Sequence, residues 1–121
     1  MSASLFQRLS EVFSTPSRVQ SYLRQMPYNG ENTMRSAHTV WNLKTGHCLE
    51  SAFLAAAVLE HRGYPPLILS LDSADSVGHV LFVFKGAHGW GAVGRSKEEG
   101  LHGRSPVFRT LRDLAWSYVD P

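Results

Sequence analysis

Residues 45–63, "TGHCLESAFLAAAVLEHRG", decide the fold. Between residues 52 and 59 every residue is apolar or alanine, which predicts a helix buried on most sides at the centre of the domain. Gly63 predicts the end of this helix, and Pro65–Pro66 follow it. The segment also holds the only cysteine of the chain, Cys48, which lies at its polar beginning and outside the apolar run.

Shorter patterns on either side predict the remaining elements. The first half predicts helices, the second half predicts strands, and residues 31–44 are irregular or a short helix. Helices first and antiparallel strands afterwards indicate an α+β fold, with a small antiparallel sheet on the central helix and a C-terminal helix. The predicted helices span 4–13, 14–26 and 110–119, and the predicted strands span 67–71 (buried), 79–85 and 90–96. The second helix has Ser14 or Thr15 as its cap and Pro16 in its first turn. The last helix opens with a Thr110–Asp113 capping box.

Composition narrows the class of protein. A chain of 121 residues with 43% hydrophobic residues suits one globular domain (1–121), with N-terminal helices at 1–30. A single cysteine rules out an intrachain disulfide framework and favours a reducing, cytoplasmic compartment. The first residues lack the layout of a secretory signal, and no apolar run reaches membrane-spanning length. A net charge of +2 from scattered basic residues argues against nucleic acid as a partner.

The position of Cys48 raises the question of reactivity. If Thr45 or Gly46 caps the helix, Cys48 occupies its third or second position. The free N–H groups and the dipole at a helix start favour an anion, and the thiolate is the nucleophilic form of cysteine. The neighbouring His47 could tune the local potential. The alternative, that Cys48 is only a small core side chain, stays open.

Among the six histidines, His79 is the best candidate for a base that serves Cys48. It opens an otherwise apolar strand and shares a strand face with Leu81 and Val83. A polar residue at the rim of a buried strand face can meet the polar start of a helix packed there. A strand-end histidine in contact with water is the competing interpretation.

The hairpin that follows predicts what lies opposite His79. If the "GAHG" turn (86–89) closes symmetrically, the group opposed to His79 is Ser96, with Cβ atoms about 5 Å apart. Such a group could orient the imidazole, as the third member of a catalytic triad does. A one-residue bulge would place Arg95 or Lys97 there, and neither side chain accepts a hydrogen bond. The symmetric count pairs Lys85 with Trp90, Val83 with Ala92, Leu81 with Gly94 and His79 with Ser96.

Four segments carry a resemblance to a known family. They are "GHCLESAFLAAAVLEHRGYPP" (46–66), "GHVLFVFK" (78–85), "WGAVGRS" (90–96) and "PVFRTLRDLAWSY" (106–118). Over residues 41–118 the chain resembles the transglutaminase-like superfamily of papain-like cysteine enzymes, and its ending resembles a small bacterial, mostly uncharacterised subgroup. The resemblance implies a nucleophilic Cys48, a general base His79 and no cofactor.

The same resemblance assigns supporting residues. The third catalytic position falls at Ser96, where the family usually has Asp; Asp72 or Asp75, in the loop before His79, could supply a carboxylate instead. Asn42 and Trp41 correspond to groups that hold the oxyanion or assist catalysis, although a turn residue explains Asn42 better and core packing explains Trp41 better.

Three functions follow as alternatives. The first is acyl transfer or amide hydrolysis (protease, amidase or transamidase) on a peptide, protein or small amide, through a thioester at Cys48 with His79 shuttling the proton. The second is a catalytically weak or inactive fold that binds a peptide or protein, which the missing Asp motivates. The third is a metal site built from Cys48 and His79 with His47 or His88, although the spacing lacks a metal-binding motif.

Overall fold

The computed structural model describes residues 4–31, 33–71, 78–97 and 99–119. This part of the chain has five α-helices and one four-stranded sheet, which confirms the predicted α+β class. The helices are α1 (Leu5–Val12), α2 (Pro16–Gln25), α3 (Ala37–Leu43), α4 (Cys48–Leu59) and α5 (Leu111–Val119); the strands are β1 (Leu67–Leu71), β2 (His79–Gly86), β3 (Gly89–Val93) and β4 (Arg104–Phe108). Single 3₁₀ turns occupy Glu60–Arg62 and Glu99–Leu101.

The helix starts follow local capping chemistry. Thr15 caps α2, where its side chain accepts the Arg18 N–H and Pro16 occupies the first turn, as predicted. Thr110 accepts the Asp113 N–H at the start of α5. The predicted cap of α4 was wrong, because His47 and not Thr45 or Gly46 caps that helix.

The sheet has the order β1-β2-β3-β4 and is antiparallel throughout. The symmetric hairpin is confirmed, since Lys85 pairs with Trp90, and the ladder continues to Phe82 opposite Val93, where it stops. β4 was not predicted. β1 was predicted to be buried and is instead a half-exposed edge strand, with Leu67 41% and Ile68 38% exposed.

Two apolar clusters lie on opposite faces of this sheet. On the α4 face, Phe82 and Phe84 of β2 and Val93 of β3 pack with the apolar side chains of α4. On the α5 face, side chains of β2 and β3 pack with Leu114 and Tyr118 of α5. Successive strand residues alternate between these faces, so one position along β2 decides which helix a side chain meets. The strand residues of the α5 face are Leu81, Val83 and Ala92.

Candidate functional site

Cys48 is the first residue of α4, and its side chain is partly exposed. A capping box holds this helix start: the His47 ring accepts the Glu50 N–H through Nδ1 at 3.4 Å, and the Glu50 carboxylate accepts the His47 N–H at 3.3 Å. The other ring nitrogen of His47 donates to the Thr33 carbonyl at 2.5 Å. His47 therefore positions the backbone around Cys48, and both of its ring nitrogens are engaged.

A fully buried carboxylate, Glu50, ties the preceding loop to this helix start. It accepts a bidentate pair from the Arg35 guanidinium at 2.8 and 2.9 Å, and single bonds from Asn29 at 3.0 Å and Thr33 at 2.7 Å. Burial alone would raise the pKa of Glu50, but these hydrogen bonds outweigh it and hold the pKa well below its ordinary value. The partners lie 15 or more positions away, so no local sequence pattern pointed to this cluster.

Tyr28 is the side chain that the structure brings next to Cys48. Backbone bonds fix its segment, since the Asn29 N–H donates to the Gly46 carbonyl at 3.2 Å. Burial raises the pKa of Tyr28, and a negative charge on Cys48 raises it further, whereas a hydrogen bond from the Cys48 backbone N–H lowers it. The burial effect dominates, so the Tyr28 phenol is protonated at neutral pH and can donate a hydrogen bond.

Two cations flank the Tyr28 ring. The Arg95 guanidinium carbon lies 5.5 Å and the Lys97 ammonium 5.6 Å from the ring centroid. Arg95 is fixed, because its Nε donates to the Met26 carbonyl at 3.1 Å, while Lys97 is exposed. The mouth of α4, which we define as Tyr28, Cys48, Arg95 and Lys97, is therefore basic and partly open.

His79 lies on the α5 face. Its Nε2 donates to the Leu101 carbonyl at 2.6 Å, and its ring centroid is 5.5 Å from that of Tyr118. A Cβ built on Gly94 would come within 2.5 Å of Leu81 and 3.9 Å of His79 Nε2, so both side chains project from β2 past the same glycine. Burial lowers the pKa of His79; the hydrogen bond to Leu101 opposes this shift.

Cys48 and His79 have different neighbours in the structure, Tyr28 for Cys48 and the Leu101 carbonyl and Tyr118 for His79. His79 shares the strand face of Leu81, as the sequence predicted, but α5 covers that face and α4 packs on the other. Across the described ranges, neither a hydrogen bond nor an ion pair links the two side chains. These contacts do not show the rim of this strand face meeting the start of α4, and that expectation stays a prediction.

Ser96 lies just beyond the end of the β3 ladder and is buried. Its carbonyl accepts hydrogen bonds from Arg95 Nη1 and from the ring of His102, the latter at 3.0 Å. The ladder pair predicted between Ser96 and His79 does not form, and the His79 ring is oriented by the Leu101 carbonyl. The predicted strand 90–96 extends three residues beyond Val93, where β3 ends in the structure.

The remaining candidates lie on α3 or outside the described residues. Trp41 is half-buried among aromatic rings, 5.3 Å from Tyr22, with the Lys44 ammonium 3.1 Å from its ring centroid, which is a packing role. Asn42 is exposed on α3. Asp72 and Asp75 lie outside the described residues.

Two comparisons with known proteins return no relative. A scan against models of known families matches none of them, and a search of curated proteins finds no match. Within the described ranges, no three His, Cys, Asp or Glu side chains gather in a way that could hold a metal ion, and the candidates His47 and His88 do not join Cys48 or His79. No helix of the described segments has the length and apolar character needed to cross a membrane.

Proposed function

We propose that this chain is a transglutaminase-like domain that binds a peptide or protein segment at the mouth of α4 without processing it through a Cys–His relay. The placement of His79 on the α5 face carries this proposal, because a general base must lie within hydrogen-bond reach of the group it deprotonates. The serine at the position of the usual Asp supports it further. A single free thiol suits the cytoplasm, and we propose neither nucleic acid nor a membrane as a partner.

The chemistry of the mouth favours an acidic segment. Arg95 and Lys97 supply two positive charges, and the protonated Tyr28 hydroxyl supplies a donor. The nearby Glu50 carboxylate does not neutralise them, because it is fully buried and bonded to Arg35. Charge complementarity therefore selects a partner whose carboxylates contact this mouth.

The absence of a relay is tested by alkylation of Cys48. We expect the pH profile of the iodoacetamide rate, from about pH 4 to about pH 10, to be the same in the wild type and in His79→Ala. The physical reason is that the imidazole is held on the far face of the sheet. A plateau of fast alkylation at low pH that His79→Ala abolishes would overturn the proposal.

Binding is tested with a fluorescein-labelled Gly-Leu-Glu-Glu peptide and its Gly-Leu-Gln-Gln analogue. We expect the Glu peptide to bind more tightly, and Lys97→Glu to weaken it by about tenfold. Arg112→Glu serves as the matched control, since Arg112 is an exposed cation on α5 and does not belong to the mouth. Equal affinity of both peptides, or equal loss in both variants, would contradict a carboxylate-selective mouth.

A second candidate function is acyl transfer at Cys48, favoured by the partly exposed thiol at the first residue of α4. It requires His79 on the α4 face, which a one-residue slip of β2 would produce. The thiolate would then attack a carbonyl carbon, the amine would leave with the proton from the imidazole, and water or another amine would release the thioester. A p-nitrophenyl ester gives a mass-detectable acyl adduct on Cys48 that turns over only with His79 present if this function holds.

A further inference from the structure

A concavity of about 230 Å³ lies beyond the C-terminal end of α4. It exists because β1 begins at Leu67, opposite Val83, while β2 continues to Gly86. Pro65 and Pro66, which precede β1, have no amide hydrogen and cannot extend the ladder. The end of β2 therefore overhangs its neighbour and leaves a notch beside the sheet.

Aromatic side chains line this notch. Phe84 is 7% exposed and belongs to the core, so its ring is held in place. Tyr64 meets it edge to face, with centroids 5.9 Å apart and ring planes at 90°. Trp90 and Leu67 complete the apolar wall. A flat apolar group would find ring faces and edges here without a rearrangement of the core.

Two cations stand among these rings. Arg62 is positioned in advance, because its Nε donates to the Ser10 carbonyl at 2.8 Å. The Lys85 ammonium lies 5.9 Å from the Trp90 ring centroid and is exposed. None of the residues that line the notch is acidic. The notch therefore combines apolar ring surface with positive charges that no acidic residue of its lining neutralises.

We propose that this notch binds a small aromatic carboxylic acid, with the ring against Phe84 and Tyr64 and the carboxylate at Arg62 and Lys85. Drug-sized ligands occupy roughly 300–1,000 Å³, so this smaller volume limits the ligand to one or two rings. A ligand of that size binds with a dissociation constant on the order of 1 mM. The notch lies roughly 18 Å from Cys48, the length of the twelve-residue α4, and is independent of the mouth described above.

The test is a titration of the full chain with phenylacetate, followed by amide and indole N–H resonances. We expect saturable shifts that centre on Gly63, Gly86 and Trp90. Phenethylamine, which has the same ring with a cationic end, should leave these signals unchanged. Lys85→Gln should weaken phenylacetate by about three- to tenfold, because hydrogen bonds to charged groups are among the stronger ones.

Arg112→Gln is the matched control and should leave the affinity unchanged, since Arg112 is an exposed cation of α5 that lines neither the notch nor the mouth of α4. Lys85 is exposed, so its replacement leaves the fold intact; Arg62→Gln should weaken binding at least as much but also loses the bond to Ser10. The proposal fails if phenethylamine shifts the same signals, if Lys85→Gln and Arg112→Gln bind phenylacetate equally, or if no shift appears at concentrations about tenfold above the expected constant.

Discussion

The two faces of one sheet differ in what they place beside β2. The α4 face joins Phe82 and Phe84 to an aliphatic helix. The α5 face combines Leu81 and Val83 with polar groups, above all His79 with its bond to the Leu101 carbonyl. Consecutive residues of β2 point alternately to these two faces. A shift of a single residue along β2 would move His79 to the α4 face, because side chains on a strand alternate between its two faces.

The largest expected loss of unfolding free energy comes from truncating a fully buried side chain on either face of the sheet. Phe82 and Leu81 are adjacent and both 0% exposed, so Phe82→Ala should cost about 3–5 kcal/mol of unfolding free energy and Leu81→Ala about 2–5 kcal/mol. Hydrogen exchange shows where each loss falls: we expect faster exchange in α4 for Phe82→Ala and in α5 for Leu81→Ala. The reverse pattern would mean that the faces are exchanged. Ile68→Ala, on the exposed edge, is the control.

The polar cluster on the α4 side gives the next largest effect. Glu50→Gln leaves the Arg35 guanidinium without its carboxylate, and we expect a loss of about 2–3 kcal/mol, below the range for a fully buried pair because Arg35 is 18% exposed. Urea unfolding measures the loss. Since the native pKa of Glu50 lies below its ordinary value of 4.5, the native state binds fewer protons than the unfolded state. This stabilisation is fully present above pH 4.5 and is lost as the pH falls below that value. Glu50→Gln should therefore weaken the dependence of the unfolding free energy on pH in this acidic range.

A smaller effect is expected on the α5 side. The Tyr118 hydroxyl donates to the His102 carbonyl at 2.5 Å in a buried environment. Tyr118→Phe removes only that donor, and we expect a loss of about 1 kcal/mol of unfolding free energy. An unchanged denaturation midpoint would show that the carbonyl finds another donor. Tyr22→Phe, on a half-buried ring of the other face, is the matched control.

The smallest expected effect is a pH dependence carried by His79. Burial holds its native pKa below the ordinary value of 6.5, so the unfolded chain binds the proton more readily. The unfolding free energy should therefore fall as pH drops below 6.5 and stay level, as far as this group is concerned, above it. His79→Phe should remove this slope in denaturant titrations at several pH values. A slope that persists in His79→Phe would assign the dependence to other groups.

Local chemistry predicted much of this fold. The Thr15–Pro16 start of α2 and the symmetric turn between β2 and β3 follow from a few neighbouring residues. The period of two in β2 also placed His79 on the face of Leu81. These features depend on contacts between residues close in the chain, where turn and capping rules apply directly.

Long-range packing decided what the sequence did not predict. No local pattern states which helix covers which face of β2, so His79 could be assigned a face but not a partner. β4 was not predicted because Pro106 interrupts this short segment, and its pairing comes from β3. The cap of α4 had a signal, His47 three residues before Glu50, but histidine is an uncommon cap.

The most direct test of the account is a nuclear Overhauser measurement on the His79 ring protons. We expect cross-peaks to the ring protons of Tyr118, whose ring centroid lies 5.5 Å away, and none to the Cβ protons of Cys48. The assignment is checked by their disappearance in His79→Ala. Cross-peaks between His79 and Cys48 would place both side chains on the α4 face, contradict the binding proposal and restore acyl transfer as the leading function.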